Sequence, residues 1–208
     1  EYQRLGAARI DRHVDAGHGA DAAIRFLAKS DPPEAAGDVY TYERLARETS
    51  AFASALRGLG VQPGERVFLI AGRVPRAYVA VLGALRGRFV ACPLFSAFGP
   101  DPIEQRMVLG DAAVLVTTSA LVDAIAPAAD VAPTSPADPA VLHFTSGTTG
   151  TPKGALHVHG AVGMHRATTE DVFGLERGDV YWCTADPGWV TGTSYGIIGP
   201  LTVGATLV

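Results

Sequence analysis

The sequence predicts an α/β fold in which mostly parallel sheets are flanked by helices. Three units of a strand followed by a helix recur in the first 130 residues, and each predicted strand is a near-continuous apolar run. Such runs are typical of parallel strands that helices cover on both faces. No internal repeat at solenoid periods is evident in the sequence, so these local signals define the architecture.

A hairpin and a long helix come first in chain order. Residues 22–27 and 39–42 flank a turn-rich stretch, which predicts two paired strands. Thr41 then provides an N-cap, and apolar side chains recur at steps of three and four until Gly60 ends the helix. These side chains are Leu45, Phe52, Leu56 and Leu59, with Thr49 between the first two.

The strand and helix units follow this long helix. Pro75 opens the first crossover helix at a position where proline is favoured. The predicted strand and helix pairs are residues 66–71 with 75–86, 89–94 with 103–109, and 112–117 with 120–128.

A proline-rich segment then interrupts the pattern. Three prolines in the nine residues 131–139 disfavour both helix and sheet. We therefore expect residues 131–140 to be a linker that separates two sheets or two subdomains, the first comprising residues 1–130 and the second residues 141–208. The second is expected to hold strands at 141–145, 154–159 and 180–185, a helix at about 161–173, and the start of a strand at 204–208.

Composition excludes several classes of function. The 208 residues are 48% apolar and 18% charged, with a net charge of −4, which excludes a disordered or coiled-coil chain. The acidic balance argues against nucleic acid or an anionic membrane as a partner. Cys92 and Cys183 form no C-x-x-C pair, and no signal peptide is visible, so we expect a reducing compartment, the cytoplasm. The uncharged residues 187–208 are rich in glycine and threonine, and we expect them to be buried in a soluble fold rather than to cross a membrane.

The strongest chemical signal is the hydroxyl-rich loop, residues 145–154, which reads TSGTTGTPKG. Its hydroxyl groups, its glycines and the ammonium group of Lys153 together suit a polyphosphate. Pro152 and Gly154 flank the lysine, so this is not a Walker A loop. A flexible linker has a similar composition, but the chain has only two lysines, Lys29 and Lys153, against fifteen arginines. The choice of lysine here favours phosphate binding.

The same residues resemble the adenylate-forming acyl-CoA synthetases. The resemblance rests on TSGTTGTPKG, on HVH at 157–159 and on YWCTADPGWVTGTSYGIIGPL at 181–201. Residues 66–107 are similar to the family's first sheet and its crossover helices. Segment 181–201 is most like that of the acetyl-CoA synthetases (acetate–CoA ligases).

The resemblance implies a two-step reaction with ATP, Mg²⁺, CoA and a small carboxylate, acetate. The carboxylate attacks the α-phosphorus to give an acyl-adenylate and pyrophosphate, and the CoA thiol then releases AMP. It also implies two sets of binding residues and no catalytic residue or metal ligand in this chain. The implied phosphate-binding residues are Thr145, Ser146, Gly147, Thr148, Thr149, Gly150 and Lys153. The implied acyl-binding residues are Trp189, Val190, Thr191 and Gly192.

Members of this family are much longer than 208 residues. The resemblance therefore implies an incomplete large N-terminal domain of an adenylate-forming enzyme. It would lack the adenine and ribose motifs, the acidic residue that helps to hold Mg²⁺, and the mobile C-terminal domain with its adenylation lysine. We expect these 208 residues alone to be inactive, with that C-terminal domain required for turnover.

Other functions stay open at this point. The chain could be a non-catalytic nucleotide-binding module, or part of a ligase for a longer carboxylate. A dinucleotide-dependent oxidoreductase is disfavoured, because Gly72-Arg-Val-Pro-Arg76 follows the strand at 66–71 in place of a Gly-x-Gly-x-x-Gly turn.

Several single residues have a structural interpretation beside the functional one. Trp189 lies in an apolar, glycine-rich stretch, where tryptophan is more often a core side chain. His143, His157, His159 and His165 are predicted to be hydrogen-bonded structural histidines, because no third metal ligand lies at a useful spacing. Asp179 and Asp186 are predicted to cap turns.

Overall fold

The computed structural model describes residues 8–32, 35–117, 133–145 and 151–208. The strands are β1 (Ala22–Phe26), β2 (Asp38–Thr41), β3 (Arg66–Ile70), β4 (Val90–Pro93), β5 (Ala112–Thr117), β6 (Pro139–Thr145), β7 (Lys153–Val158), β8 (Val180–Tyr181) and β9 (Thr206–Leu207). The helices are α1 (Ala8–His13), α2 (Tyr42–Gly58), α3 (Pro75–Arg86), α4 (Pro100–Leu109), α5 (Ala161–Asp171), α6 (Val190–Thr193) and α7 (Gly199–Val203). Wider π-type turns follow α1 and α6, at Val14–His18 and Ser194–Ile198.

Two sheets form from these strands. The five-stranded sheet has the order β5-β3-β4-β6-β7, in which β3 to β6 are parallel and β7 runs antiparallel to β6. The four-stranded sheet has the order β2-β1-β9-β8, with an antiparallel β1/β2 hairpin and a parallel β9 between β1 and β8. The predicted α/β class with mostly parallel strands is confirmed.

The proline-rich segment does not separate the two sheets. β6 begins at Pro139 and pairs with β4, where Val141 lies opposite Ala91. In the other sheet, β9 near the end of the chain pairs with β1 near its start. The expectation of one sheet on each side of residues 131–140 is wrong, because strand pairing joins both halves of the chain in each sheet. A subdomain boundary at this segment stays a prediction.

Local sequence signals set the ends of helices α2, α3 and α4. The Thr41 hydroxyl accepts a hydrogen bond from the Arg44 backbone N–H at 3.1 Å, which is the predicted N-cap of α2. α3 has the predicted bounds at both ends. α2 and α3 pack closely at Gly83, where a Cβ would crowd Phe52 and the carbonyl of Thr49. α4 begins three residues earlier than expected, because Pro100 occupies its first turn.

The uncharged stretch near the end of the chain forms part of the core. Ile197 and Leu201 are fully buried, and the Tyr42 hydroxyl donates to the Ala205 carbonyl at 2.7 Å. The expected strand at 204–208 is present as β9. No helix in the described part of the chain is both long and apolar enough to cross a bilayer.

Two further sequence predictions concern a strand that is shorter than expected and a helix outside the described residues. The strand expected at 180–185 is only two residues long, because its partner β9 offers only Thr206 and Leu207 for pairing. The helix predicted at 120–128 lies outside the described residues.

Candidate functional site

The hydroxyl-rich loop starts at the edge of the five-stranded sheet where its parallel strands end. β4 and β6 are neighbours in that sheet, so the loops that follow them leave the edge side by side. Ligands of open α/β sheets bind outside the carboxyl ends of the strands. The fold therefore places Thr145 and Lys153, at the two ends of the loop, near the edge where such a sheet binds its ligands.

A hairpin closes the base of the loop. β6 and β7 pair antiparallel with Thr145 opposite Lys153, and the Thr145 hydroxyl lies 3.5 Å from the Lys153 carbonyl oxygen. Directly paired residues project their side chains to the same face of a sheet. Thr145 and Lys153 are both exposed, so a hydroxyl and an ammonium group face solvent together. The candidate residues Ser146, Gly147, Thr148, Thr149 and Gly150 lie outside the described residues.

The second candidate segment begins with a tight turn at residues 186–189, called here the Trp189 turn. The Asp186 carboxylate accepts hydrogen bonds from the Ser96 hydroxyl and the Gly188 backbone N–H, both at 2.8 Å. The Asp186 carbonyl accepts from the Trp189 N–H at 2.9 Å. The prediction that Asp186 caps a turn is confirmed, as is that for Asp179, which accepts from the Glu176 N–H at 2.8 Å.

Trp189 is not a core side chain. Its residue is 51% exposed, and its ring lies 5.7 Å from the ring of Phe95, in the loop after β4. Val190 and Thr191 are also exposed, whereas Gly192 is buried. A Cβ at Gly192 would collide with the Asp186 carbonyl oxygen, so the first turn of α6 needs a glycine there.

Two loops that follow strands and one strand contact the segment around the Trp189 turn, residues 184–193. Arg73, after β3, donates a hydrogen bond to the Thr184 carbonyl. Ser96, after β4, bonds to Asp186, and His143, on β6, has its Nε2 3.1 Å from the Thr193 hydroxyl oxygen. The structure thus joins the strand that leads into the hydroxyl-rich loop to the helix that follows Trp189.

Histidines line this junction, and burial lowers the pKa of His143 and His165. Burial, reinforced by His157 and His165 nearby, lowers the pKa of His143 to about 4. Burial also lowers the pKa of His165, whose Nε2 lies 3.3 Å from the Ser194 hydroxyl. The rings of His143 and His157 meet edge to face at 5.6 Å.

The expectation of hydrogen-bonded histidines holds only in part. His143 and His165 each have a hydroxyl partner. His159 lies just past the end of β7 and is fully buried, but neither of its ring nitrogens has a hydrogen-bond partner among the described residues. The prediction of a hydrogen-bonded ring is therefore wrong for His159, whose buried ring nitrogens meet no polar atom of the described residues at hydrogen-bond distance.

The sequence matches the AMP-binding enzyme family over residues 11–208. The chain belongs to that family. Among the relatives of this chain, the acetyl-coenzyme A synthetase of Bacillus subtilis strain 168 is 35% identical over 235 aligned positions. The alignment covers 96% of this chain and 40% of the relative. The acetyl-coenzyme A synthetase of Streptomyces avermitilis is 36% identical over 250 aligned positions, which cover 96% of this chain and 38% of the relative. The chain spans about two fifths of the length of these curated relatives.

Solved structures show the same fold. A crystal structure of a Brucella canis acyl-CoA synthetase matches this chain with a TM-score of 0.87 at 26% identity, over 100% of this chain and 43% of that one. The N-terminal subdomain of Klebsiella oxytoca NpsA in complex with 3-hydroxyanthranilyl-AMSN matches with a TM-score of 0.83 at 22% identity. That match covers 98% of this chain and 52% of the other, and it concerns the fold alone.

The resemblance implies an Mg²⁺ whose acidic ligand lies outside these 208 residues, and the described residues form no metal site of their own. Asp186, a carboxylate at this edge, uses both oxygens on Ser96 and Gly188. Across the described ranges, no group of three or more His, Cys, Asp or Glu side chains could hold a metal ion. The two-step reaction is therefore derived without a metal ligand from this chain.

Two residues at this candidate site were missed by sequence reasoning. Phe95 and Ser96 contact the ring of Trp189 and the carboxylate of Asp186. The signal was available, since an aromatic and a hydroxyl side chain directly after a buried parallel strand lie at the ligand-binding edge of such a sheet.

Proposed function

We propose that this chain carries the phosphate-binding and acyl-binding parts of an AMP-forming acyl-CoA synthetase that activates acetate. The observation that carries the proposal is the hairpin register that sets Thr145 beside Lys153 at the ligand-binding edge of the sheet. Two relatives that align with 96% of the chain, at 35% and 36% identity, are acetyl-coenzyme A synthetases, which supports acetate as the carboxylate.

The first chemical step needs positioning and charge neutralisation rather than a protein nucleophile. An acetate oxygen attacks the α-phosphorus of ATP, the bond between the α-phosphorus and the bridging oxygen breaks, and pyrophosphate leaves with that oxygen. In our proposal, the Lys153 ammonium and the loop hydroxyls bind the β- and γ-phosphates and stabilise the charge on the leaving pyrophosphate. Ser146, Gly147, Thr148, Thr149 and Gly150 complete this loop.

The acyl end is assigned to Trp189, Val190, Thr191 and Gly192. A half-exposed indole beside small side chains provides a flat apolar wall for a two-carbon acyl group. In the second step, the CoA thiol attacks the acyl carbon of the adenylate. The thioester forms, the thiol proton is lost and AMP departs.

The test is acetate-dependent exchange of labelled pyrophosphate into ATP by the full-length protein that contains this chain. We expect exchange that requires acetate and is weaker with propionate or butyrate. Exchange with butyrate but not acetate would contradict the acetate assignment, and nucleotide binding without any exchange would favour a non-catalytic module.

A second measurement concerns the 208 residues by themselves. Because they span about two fifths of the relatives' length, we expect no exchange by this polypeptide alone. Turnover by the isolated polypeptide would contradict the requirement for a C-terminal domain.

A further inference from the structure

A small cavity lies where β6, β7, α5 and the end of α6 meet, and it is called here the histidine cavity. It offers about 10 Å³ to the centre of a water molecule. One water molecule needs about 10–15 Å³ of this kind, together with two to four polar partners. Imidazole and hydroxyl groups contribute to its wall beside apolar side chains. Its lining includes Val141, His143, His157, His165, Thr193 and Ser194.

The ring of His143 has one nitrogen with a hydrogen-bond partner and one without. Its Nε2–H donates to the Thr193 hydroxyl at 3.1 Å, because that hydroxyl uses its own proton on the Pro187 carbonyl. In this tautomer, Nδ1 carries no proton and is an acceptor. The residue is 2% exposed, and Nδ1 is buried with no hydrogen-bond partner among the described residues. A buried acceptor without a donor costs free energy, so the structure calls for a donor at Nδ1.

The groups around His143 limit what this donor can be. The nearby His165 ring has its Nε2 3.3 Å from the Ser194 hydroxyl, so that nitrogen is already engaged. Burial lowers the pKa of His143 to about 4, so the ring is neutral at pH 7 and keeps its acceptor. Within the described ranges, no group of three or more His, Cys, Asp or Glu side chains could hold a metal ion. A small neutral donor, water, therefore fits the histidine cavity.

A second cavity of the same size provides a comparison. It also offers about 10 Å³, and its wall is apolar except for one threonine. That hydroxyl, of Thr202, donates to the Gly199 carbonyl at 2.6 Å and is therefore satisfied. Apolar cavities of this kind hold no ordered water. The other lining residues are Ile10, Leu82, Leu85, Val162, Ile198 and Leu201.

We propose that the histidine cavity is a site for one buried water molecule, which donates a hydrogen bond to Nδ1 of His143. His157 on β7 and Ser194 after α6 line the same cavity and are the further polar partners of this water molecule. The bound water thus joins β6, β7 and the segment after α6. The site does not depend on the proposed function.

The first test is a high-resolution crystal structure of the full-length protein at pH 7.5. We expect electron density for one water oxygen within about 3.2 Å of Nδ1 of His143, and none in the apolar cavity. No water at Nδ1 would overturn the proposal. Water in both cavities would show that size alone decides occupancy, and it would overturn the role of the His143 acceptor.

The second test displaces the water with a methyl group. Val141 lines the histidine cavity and lies two positions before His143 on β6, so both side chains project from the same face of the strand. Val141→Ile adds one methyl group, and we expect the equilibrium constant for unfolding to rise about tenfold, because Nδ1 loses its donor. In a His143→Leu background no acceptor is left, and the same substitution should change this constant by less than about threefold.

Urea denaturation of the four full-length proteins in this cycle measures the difference. A larger effect of Val141→Ile with His143 present than with leucine at that position supports the bound water. An equal effect in both backgrounds, or a Val141→Ile protein that is more stable than the unsubstituted one, would mean that the methyl group fills a dry cavity, and it would overturn the proposal. If Val141→Ile does not fold, the crystal structure of the unsubstituted protein decides.

Discussion

The Nε2 atom of His143 lies 3.1 Å from the Oγ1 atom of Thr193. The Thr193 hydroxyl donates its single proton to the Pro187 carbonyl, so it accepts from His143, which places the imidazole proton on Nε2. His143 is on the strand that leads into the hydroxyl-rich loop, and Thr193 ends the helix that begins after Trp189. One buried hydrogen bond therefore couples the candidate phosphate segment to the candidate acyl segment.

Replacing Thr193 by valine tests the strength of this coupling. Thr193→Val keeps the shape of the side chain but leaves the Nε2–H of His143 buried without an acceptor, and we expect a loss of about 1–3 kcal/mol in the free energy of unfolding. Urea denaturation measures the loss. The exposed neighbour Thr191→Val is the matched control and should change stability by less than about 0.5 kcal/mol. Equal stability of the two variants would contradict the hydrogen bond.

The buried histidines predict how stability depends on pH. The pKa of His143 is lowered to about 4, below its ordinary value of 6.5, so between these values the unfolded chain binds more protons than the folded one. The contribution of His143 is therefore fully present above pH 6.5 and is lost as the pH falls from 6.5 towards 4. Burial lowers the pKa of His13, His159 and His165 in the same direction.

Urea denaturation at pH 7.5 and pH 5 measures this dependence. We expect the loss of stability between the two to be smaller in His143→Gln by up to about 2 kcal/mol, because glutamine does not titrate. A loss of the same size in both proteins would show that His143 does not stay neutral in the folded state.

Gly192 gives a test of the geometry at the start of α6. Gly192→Ala places a methyl group against the Asp186 carbonyl, a backbone atom that other contacts hold, and we expect a loss of about 1–3 kcal/mol in the free energy of unfolding. Gly58→Ala is the control, because a Cβ there meets nothing within 4 Å at the end of α2. That variant should be neutral or more stable by up to about 1 kcal/mol. Urea denaturation of both variants measures the difference.

Elements with local signals could be predicted from sequence, and those that depend on distant partners could not. α3 was predicted at both ends, since a proline begins it and Gly87 follows it. β8 was predicted too long, because the length of a strand depends on its partner, and β9 lies 26 positions further along the chain. The assignment of β6 to the sheet of β3 to β5 likewise depends on pairing across the proline-rich segment.

In the candidate site too, features with local signals could be predicted and features that depend on distant partners could not. The turn that Asp186 caps could be predicted, because the carboxylate accepts from the backbone N–H of Gly188, only two residues away. The hydrogen bond from Ser96 to Asp186 could not, because it joins positions ninety residues apart. The exposure of Trp189 could not be predicted, since its apolar and glycine-rich neighbours are equally typical of a core. The hydroxyl-rich loop could be recognised from sequence, because its signal is the composition of ten consecutive residues and needs no distant partner.

The most direct test of the phosphate-binding role of the hydroxyl-rich loop is the affinity of the full-length protein for ATP in Lys153→Ala, measured by isothermal titration calorimetry. We expect the Kd to rise at least about tenfold, because a charged hydrogen bond to phosphate contributes about 1.5–3 kcal/mol. Lys29, the chain's other lysine, lies on the turn after β1 and is equally exposed, so Lys29→Ala should leave the Kd unchanged. An unchanged Kd in Lys153→Ala, or equal losses in both variants, would contradict the account.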